Sequence, residues 1–354
     1  MILVRRATPE DNGAMVDLHA NCPQGTDLVI ILDRSPDFFN RSRPYEDCRV
    51  YVAEEDGRII GTAECAIRDL TFDGRRCRAL YEFGFMVDPA HRRKGIATRL
   101  QEAIEAYAAH RNVDLLHLNI VEGNEPSVRF FTKMGFKFWK EQKVLMLMVY
   151  KEMKPSVDAH IRSMELTDTD DVVDLINDTY YDHDLFQPFS TGTFMDYVER
   201  LPFYNLENIF VAERDGEIKA CLGYWEYDHV IRFKILNYAI RYRIPALMMR
   251  FLGLFTKVPR IPKRGDYMSQ LFLVPMACKD DECLCELVKH VNNIALEGGV
   301  HFLNVSLDKE SPLLPALSKF MHNETKVPSY VKPLKGRSLY TGKKRRMFMD
   351  VIDI

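Results

Sequence analysis

The sequence predicts an α/β protein built from two tandem domains, each a mixed, mostly antiparallel sheet flanked by helices. First, 354 residues exceed the usual size of one hydrophobic core, so two domains are expected. Second, strand-like and helix-like segments alternate along the chain, as in α/β proteins. Third, a weak internal repeat relates positions 4 and 161, and positions 50 and 209, at offsets of 157 and 159 residues.

The repeat is clearest in two segments that each read as a strand, an Asp-Gly turn and a second strand. They are Val50–Ile59 in the first half and Ile209–Ile218 in the second. Asp-Gly between apolar runs is a strong signal for a β-hairpin. Because the repeated pattern restarts near Pro155, we predict domains at residues 1–152 and 156–354.

Further elements follow the hairpin in each half. In the first half the pattern predicts two strands and two helices in alternation: Ala79–Val87, Gly95–Arg111, Leu115–Val121 and Ser127–Met134. In the second half it predicts a strand, a helix and a strand: Ser269–Val274, Asp281–Glu297 and Phe302–Leu307.

The segment Asp228–Gly265 is an insertion without a counterpart in the first half, and it mixes large apolar side chains with arginines. It favours an amphipathic segment packed against the neighbouring domain, with its charged heads in water. Covering an acceptor groove and contact with a membrane surface are the two alternatives.

Composition excludes some classes of protein. The 48 basic and 51 acidic residues nearly cancel, so the net charge gives no argument for binding nucleic acid. No run of eighteen apolar residues and no apolar leader is present, so we expect a cytoplasmic protein without stable membrane insertion, as a monomer or a homodimer.

The eight cysteines lack the spacing of a disulfide framework and read as reduced thiols. Cys278, Cys283 and Cys285 form the one tight group. Without a second pair of His or Cys nearby, this group is a weak metal signal and is better interpreted as buried helix thiols. We therefore predict no metal cofactor.

The most informative run is a strand that ends at Val87, a turn over Asp88–His91, and a basic glycine-containing segment, Arg92–Ala97, that opens a helix. The first amides of a helix lack intrahelical partners and carry partial positive charge, so they favour phosphate. A glycine lets the main chain approach the anion closely, and Arg92, Arg93 and Lys94 add charge. Basic residues oppose the dipole of a helix start unless an anion is present.

This run resembles a known signature. V-D-P-x-x-R-R-K-G-I-A is similar to the coenzyme A motif R/Q-x-x-G-x-G/A of the GNAT superfamily of N-acetyltransferases. Asn124, Ser127, Phe131 and Gly135-Phe136 resemble the pattern N-x-x-A-x-x-x-Y-x-x-x-G-F of the same superfamily. The resemblance implies splayed central strands, acetyl-CoA as co-substrate, and an amine acceptor that is a small molecule or a peptide.

The resemblance also implies residue roles. Main-chain amides after Arg92 would bind the pyrophosphate with help from the Arg92 side chain, the end of the preceding strand would pair with pantetheine, and Asn124 would contact the coenzyme arm. A glycine in a β-prone run, Gly84, fits the bulge expected before the turn. The expected coenzyme-binding residues are Phe85, Met86, Val87, Arg92, Arg93, Lys94, Gly95, Ile96, Ala97, Thr98, Asn124, Ser127 and Phe131.

The catalytic residues are less clear, because Phe131 stands where many family members place the tyrosine that protonates the leaving thiolate. Glu82 is the candidate general base, with Tyr81 and His91 as lesser candidates. The usual acidic position is one residue later, at Phe83, so a paired or exposed strand carboxylate is the alternative for Glu82.

The predicted function is therefore an acetyl-CoA-dependent N-acetyltransferase, and an acyl-CoA-binding sensor without turnover or a longer-chain acyltransferase are the alternatives. The pattern from Tyr81 to Ile96 is also similar to plant Hookless-type N-acetyltransferases. The second half has no glycine and three consecutive acids at the matching turn, Met276–Glu282, so we predict one coenzyme site. Asn21–Arg43 and the insertion are expected to select the acceptor.

Overall fold

The structure is a computed structural model that describes residues 1–25, 27–240, 247–249, 251–253, 255–334 and 345–353. Twelve strands form one sheet: β1 (Leu3–Arg6), β3 (Asp47–Glu55), β4 (Arg58–Phe72), β5 (Arg75–Val87), β6 (Leu115–Asn119), β7 (Lys137–Met148), β8 (His160–Ser163), β10 (Ile209–Arg214), β11 (Glu217–Trp225), β13 (Gln270–Cys278), β14 (Phe302–Asp308) and β15 (His322–Pro333). Two short pairs stand apart, β2 (Leu28–Asp33) with β12 (Arg232–Tyr238), and β9 (His183–Asp184) with β16 (Arg346–Met347). The helices are α1 (Asn12–Ala20), α2 (Ile96–His110), α3 (Glu125–Lys133), α4 (Thr169–Tyr180), α5 (Thr191–Arg200), α6 (Asp281–Glu297) and α7 (Leu314–Leu317).

The strand order of the large sheet is symmetric about its centre. It runs β1-β3-β4-β5-β6-β15 and then β7-β14-β13-β11-β10-β8. Each strand of the first half therefore has a partner at the matching position of the second. The predicted mixed α/β fold, a mixed sheet flanked by helices, is confirmed.

At the centre the two halves exchange strands. β15 from the second half lies between β6 and β7, and β7 from the first half lies between β15 and β14. The sheet thus has no seam at residues 152–156, and the division into domains at that point stays a prediction. The exchange completes the sheet of each half with a strand from the other.

Both predicted hairpins are present. β3 and β4 are joined by Asp56-Gly57, and β10 and β11 by Asp215-Gly216, with φ of 52° and 78° in the first turn and 56° and 77° in the second. Two consecutive positive φ angles match the right-handed twist of a two-residue hairpin, and Asp and Gly tolerate them.

The helix α2 covers one face of the sheet next to β3, β4 and β5. Its buried residues recur every four positions, at Ile96, Leu100, Ile104 and Ala108, each at most 2% exposed. Burying an aliphatic side chain of this size contributes about 1.5–3 kcal/mol, so the stripe fixes the helix on the sheet.

Some boundaries differ from the predicted ones. β6 ends at Asn119 rather than Val121, although the N–H groups of Ile120 and Glu122 still donate to carbonyls of β15; Val121 itself is 51% exposed. The next helix, α3, begins at Glu125, two residues before Ser127. In the second half β13 continues to Cys278, four residues past Val274, paired with β11.

The insertion begins on the body of the protein. Its strand β12 pairs with β2, which lies in the first half within the predicted acceptor-selecting segment Asn21–Arg43. The two regions expected to select the acceptor are thus joined. Residues 241–246, 250 and 254 of the insertion lie outside the described residues. Over the part of the chain that the structure describes, no helix is both long and apolar enough to cross a bilayer.

Candidate active site

A bulge in β5 marks the first part of the candidate site. β5 places two residues, Gly84 and Phe85, opposite the single residue Ala63 of β4, between the pairs Thr62↔Met86 and Glu64↔Phe83. Gly84 lies in the bulge with φ of 62°. A β-carbon there would lie 2.1 Å from Oε1 of Glu64, so both the backbone angle and the space require glycine. The bulge predicted at Gly84 is confirmed.

Beyond the bulge the central strands separate. β5 and β6 pair in parallel from Ala79↔Leu115 to Glu82↔Leu118, and the pairing then ends. β5 continues to Val87, whereas β6 continues only to Asn119, alongside β15. Phe83, Met86 and Val87 pair with β4, and among the residues that the structure describes no strand lies on the other edge of residues 83–87. This splayed edge, defined as the β6 side of residues 83–87, offers unpaired main-chain groups to a ligand.

The turn after β5 leads into α2, whose first amides have no partner within the helix. Gly95 is the residue before the helix, with φ of 80°, and no side chain caps the helix start. The first helical hydrogen bond runs from the Arg99 N–H to the Gly95 carbonyl at 3.1 Å. The N–H groups of Ile96 and Ala97 precede it, in a turn whose basic residues 92–94 are exposed, and they are free for an anion.

The matching helix of the second half, α6, is closed by its own side chain. The Asp280 carboxylate accepts hydrogen bonds from the N–H groups of Glu282 at 2.8 Å and Cys283 at 3.3 Å. Arg214 also pairs with Asp280 at 2.6 Å. A carboxylate already occupies the place that a phosphate would need, which supports a single coenzyme site.

In the described residues of the second half, the matching gap between the strands is filled. β13 and β14 pair in parallel only from Gln270↔Phe302 to Phe272↔Asn304 and then separate like β5 and β6. Residues 348–351 lie in the gap beside residues 273–276 of β13 and leave a residual cavity of about 40 Å³. Residues 348–351 therefore occupy the gap between β13 and β14, whereas Asp353 of the same C-terminal segment contacts Tyr81 and Asn119 of the first half.

Hydrogen bonds and ion pairs fix the turn between β5 and α2. The Arg92 Nε donates to the Val87 carbonyl at 3.2 Å, and the Asp88 carboxylate accepts from the Ala90 N–H at 2.8 Å. His91 lies 3.5 Å from Asp88 and 3.6 Å from Glu55. His91 is thus directed toward carboxylates.

An aromatic cluster stands between the splayed edge and α3. The Phe131 ring lies 5.1 Å from Phe85, 4.9 Å from Phe130 and 5.4 Å from Phe136, and it is 5% exposed. Asn124, exposed at the start of α3, accepts a hydrogen bond from the Ser127 N–H at 3.3 Å and caps the helix. Phe131 thus contacts Phe85 of the splayed edge, whereas Asn124 and Ser127 contact each other at the start of α3.

Glu82 and Tyr81 point to opposite faces of the sheet. Glu82 is 2% exposed beneath α2, where its Oε1 accepts from Gln101 Nε2 at 2.9 Å, and burial raises the pKa of its carboxyl to about 8. Tyr81 lies on the other face, and its hydroxyl donates to the Asp353 carbonyl. The structure does not bring the two candidate catalytic residues together.

A buried polar cluster around Tyr81 carries residues that sequence reasoning missed. The Tyr45 hydroxyl donates to Oδ1 of Asp353 at 2.8 Å, and Asn119 Nδ2 donates to the Asp353 carbonyl at 3.3 Å. Arg68 pairs with the same carboxylate. Asp353 lies 272 positions from Tyr81 in the chain, and no local pattern predicts this contact.

A second buried charge pair lies beneath the bulge. Arg34 is 2% exposed and Glu64 fully buried, and the guanidinium binds the carboxylate through two nitrogens, one of them at 3.0 Å. The Ser42 hydroxyl also donates to Glu64 at 2.9 Å. These contacts hold the Glu64 carboxylate against Gly84, and thus fix the bulge from within.

A cavity of about 300 Å³ opens beside Tyr45 and between the two halves. The carboxylate of Asp350 lines it and accepts a hydrogen bond from the Tyr197 hydroxyl at 3.1 Å. Burial, with the nearby Asp353 carboxylate, raises the pKa of Asp350 to about 6. The aromatic walls are Tyr45, Phe186, Phe189, Tyr197 and Phe348.

Comparisons with known proteins agree with this geometry. Residues 14–136 match the Acetyltransferase (GNAT) family. A probable N-acetyltransferase, HLS1-like, from Arabidopsis thaliana is 24% identical over 259 residues, which are 66% of this chain and 61% of that protein. The chain thus spans about three fifths of the length of that relative.

Two solved structures share the fold across both halves. Saccharomyces cerevisiae N-myristoyltransferase with bound myristoyl-CoA superposes with a TM-score of 0.65 at 12% identity, covering 93% of this chain and 82% of the other. A GCN5-related N-acetyltransferase from Sphaerobacter thermophilus gives a TM-score of 0.59 at 12% identity, covering 94% and 95%. At these identities the likeness concerns the fold. The match to the acetyltransferase (GNAT) family covers the part of the chain that contains the bulged strand β5 and the open start of α2.

Proposed function

We propose that this chain is an acyl-CoA-dependent N-acyltransferase that uses acetyl-CoA and an amine acceptor. The observation that carries the proposal is the uncapped start of α2, which follows directly on the splayed edge of β5. A pyrophosphate at the α2 amides and a pantetheine along residues 83–87 would form one continuous binding surface. The acetyl thioester would then lie near Tyr81 and Asn119, where the strands begin to separate.

In the proposed complex the amides of Arg93, Lys94, Gly95, Ile96 and Ala97 bind the pyrophosphate, with the exposed side chains of the turn adding charge. Phe85, Met86 and Val87 contact pantetheine through their backbone, and Thr98, Asn124, Ser127 and Phe131 border the coenzyme. The Arg92 guanidinium already contacts the Val87 carbonyl, so it lies at the junction of these two groups.

The acceptor is proposed to enter through the cavity beside Tyr45. A neutral amine attacks the thioester carbonyl, the carbon–sulfur bond breaks, and the coenzyme thiolate leaves while the amine nitrogen loses a proton. Asp350 lines this cavity, and a carboxyl with a pKa of about 6 is largely ionised at neutral pH and can accept that proton. Glu82 remains the base predicted from sequence, although it lies beneath α2 on the other face.

Two alternatives differ from this proposal in acyl chain and in turnover. The likeness to a myristoyltransferase fold favours a longer acyl group. Phe131 favours a sensor without turnover, because its ring has no hydroxyl that could protonate the leaving thiolate. Radiolabelled acetyl-, octanoyl- and myristoyl-CoA with a panel of amines separate them. Transfer from acetyl-CoA supports the proposal, transfer only from a longer chain replaces acetyl, and binding without transfer indicates a sensor.

The coenzyme site itself is tested by Gly95→Asp. Aspartate is a favourable residue before a helix and tolerates a positive φ, so the fold should persist while the new carboxylate repels pyrophosphate. We expect calorimetry to show at least a roughly tenfold loss of affinity for CoA. The matched control is Gly216→Asp, at φ of 77° with nothing within 4 Å of an added β-carbon, which should bind CoA normally. Undiminished CoA binding by Gly95→Asp would remove the proposal.

A further inference from the structure

Positive charge is concentrated in one part of the insertion. Between positions 229 and 265 the sequence has nine Lys and Arg residues and no Asp or Glu, in a chain whose formal net charge is −3. A local excess of this size creates a field for anionic partners that the whole-protein charge conceals.

The same part of the chain exposes large apolar side chains. Ile240, Leu247, Met248, Phe251, Leu252 and Phe255 are between 45% and 75% exposed. Phe251 and Phe255 are four residues apart, and their rings lie 5.3 Å from each other. These six residues, called the apolar patch, are not covered by the described part of the protein, although water is a poor environment for them.

The segment that carries the apolar patch is fixed to the body at both ends. Before it, β12 pairs with β2, and Arg232 binds Asp33 at 2.7 Å. After it, the Tyr267 hydroxyl donates to the same carboxylate at 2.9 Å. The apolar patch therefore projects from an anchored base, as expected of a docking element.

We propose that the apolar patch and the surrounding lysines and arginines dock on the surface of an anionic phospholipid bilayer. Each Lys or Arg close to such a surface is attracted to its anionic headgroups, and apolar side chains that enter the interface add to this attraction. Described basic residues that flank the apolar patch include Lys257, Arg260, Lys263 and Arg264. Six exposed apolar side chains favour a bilayer over nucleic acid, which is bound mainly through phosphate contacts.

The experiment is sedimentation of the full chain with phosphatidylcholine vesicles, with and without phosphatidylserine. We expect association only when phosphatidylserine is present, and weakening as salt is raised, because screening shortens the reach of surface charges. Phe251→Asp with Phe255→Asp should reduce association at least roughly tenfold, since it removes two inserting rings and adds two negative charges. Because both side chains are exposed, this variant should keep the wild-type circular dichroism spectrum.

The matched control replaces two exposed apolar residues elsewhere, Leu166→Asp with Tyr181→Asp, at 67% and 77% exposure. It should associate like the wild type. No association with anionic vesicles, or equal association of the two variants, would overturn the proposal. A dimer in sedimentation velocity that Phe251→Asp with Phe255→Asp dissociates, without vesicle association, would assign the apolar patch to a second copy instead. Binding to RNA that this variant leaves intact, without vesicle association, would also overturn it.

Discussion

Replacing Gly84 by alanine tests how the bulge beside the splayed edge is held. The added β-carbon would lie 2.1 Å from Oε1 and 2.9 Å from Cδ of Glu64. Glu64 cannot move outward into solvent, because it is fully buried and bound to Arg34 and Ser42. Either the bulge or the ion pair must therefore give way.

The cost has two parts. A residue with a β-carbon at φ of 62° costs about 1 kcal/mol in the left-handed region. Breaking a buried ion pair by displacing one partner costs roughly 3–5 kcal/mol. The sum, about 4–6 kcal/mol, is comparable with the entire stability of many domains, about 5–15 kcal/mol.

Urea denaturation of Gly84→Ala measures this cost, with Gly57→Ala as the control. Gly57 has φ of 78° and nothing within 4 Å of an added β-carbon, so it carries only the backbone part, about 1 kcal/mol. We expect Gly84→Ala to lose several times more unfolding free energy than Gly57→Ala. Equal losses would show that Glu64 moves freely and would refute the reasoning.

Three further predictions concern buried charge and helix capping. Burial raises the pKa of Glu82 from 4.5 to about 8, so the folded state binds the proton more tightly and the unfolding free energy falls as pH rises between these values, by on the order of 5 kcal/mol. Glu82→Gln should abolish that fall in urea melts, and unchanged turnover in the same variant would contradict Glu82 as base. Arg34→Leu should lower the unfolding free energy by roughly 3–5 kcal/mol, because the buried Glu64 carboxylate loses its partner. Arg34→Leu with Glu64→Leu should recover most of this loss, and a double-mutant cycle that shows no coupling energy would disprove the ion pair. Asn124→Ala should cost about 1 kcal/mol of stability because it removes a helix cap, whereas Asn124→Asp keeps the cap. Weaker CoA binding in both variants by calorimetry would support the coenzyme contact of Asn124, and normal binding in both would remove it.

Much of the first half could be predicted because its features are set by neighbouring residues. The Asp-Gly turns, the bulge at Gly84 and the start of α2 at Gly95 each depend on a glycine at a positive φ. Their sequence signals lie within a few positions of the structure they determine. The stripe of buried residues on α2 likewise follows from helical spacing.

What could not be predicted depends on contacts between distant parts of the chain. No local pattern shows that β15 lies between β6 and β7. A strand pairs with whichever strands fit its two edges, and the partners of β15 lie about 200 residues earlier in the chain. The same holds for Asp353, whose contacts with Tyr45 and Tyr81 cross the whole sequence. Sequence spacing also left open which face of β5 is covered by α2, and hence that Glu82 is buried beneath it.

The crossing of β7 and β15 has a consequence for how this chain can be taken apart. A protease that cleaves near residues 151–158 would break the covalent connection between the halves, but the strands 322–333 and 137–148 would still pair with strands of the other fragment. The two fragments should therefore elute together in size-exclusion chromatography until denaturant is added. Either fragment expressed alone would have a strand without its partners and a sheet that lacks one of its strands. If the two halves arose by gene duplication, the exchange of β7 and β15 would make each copy depend on the other for a complete sheet.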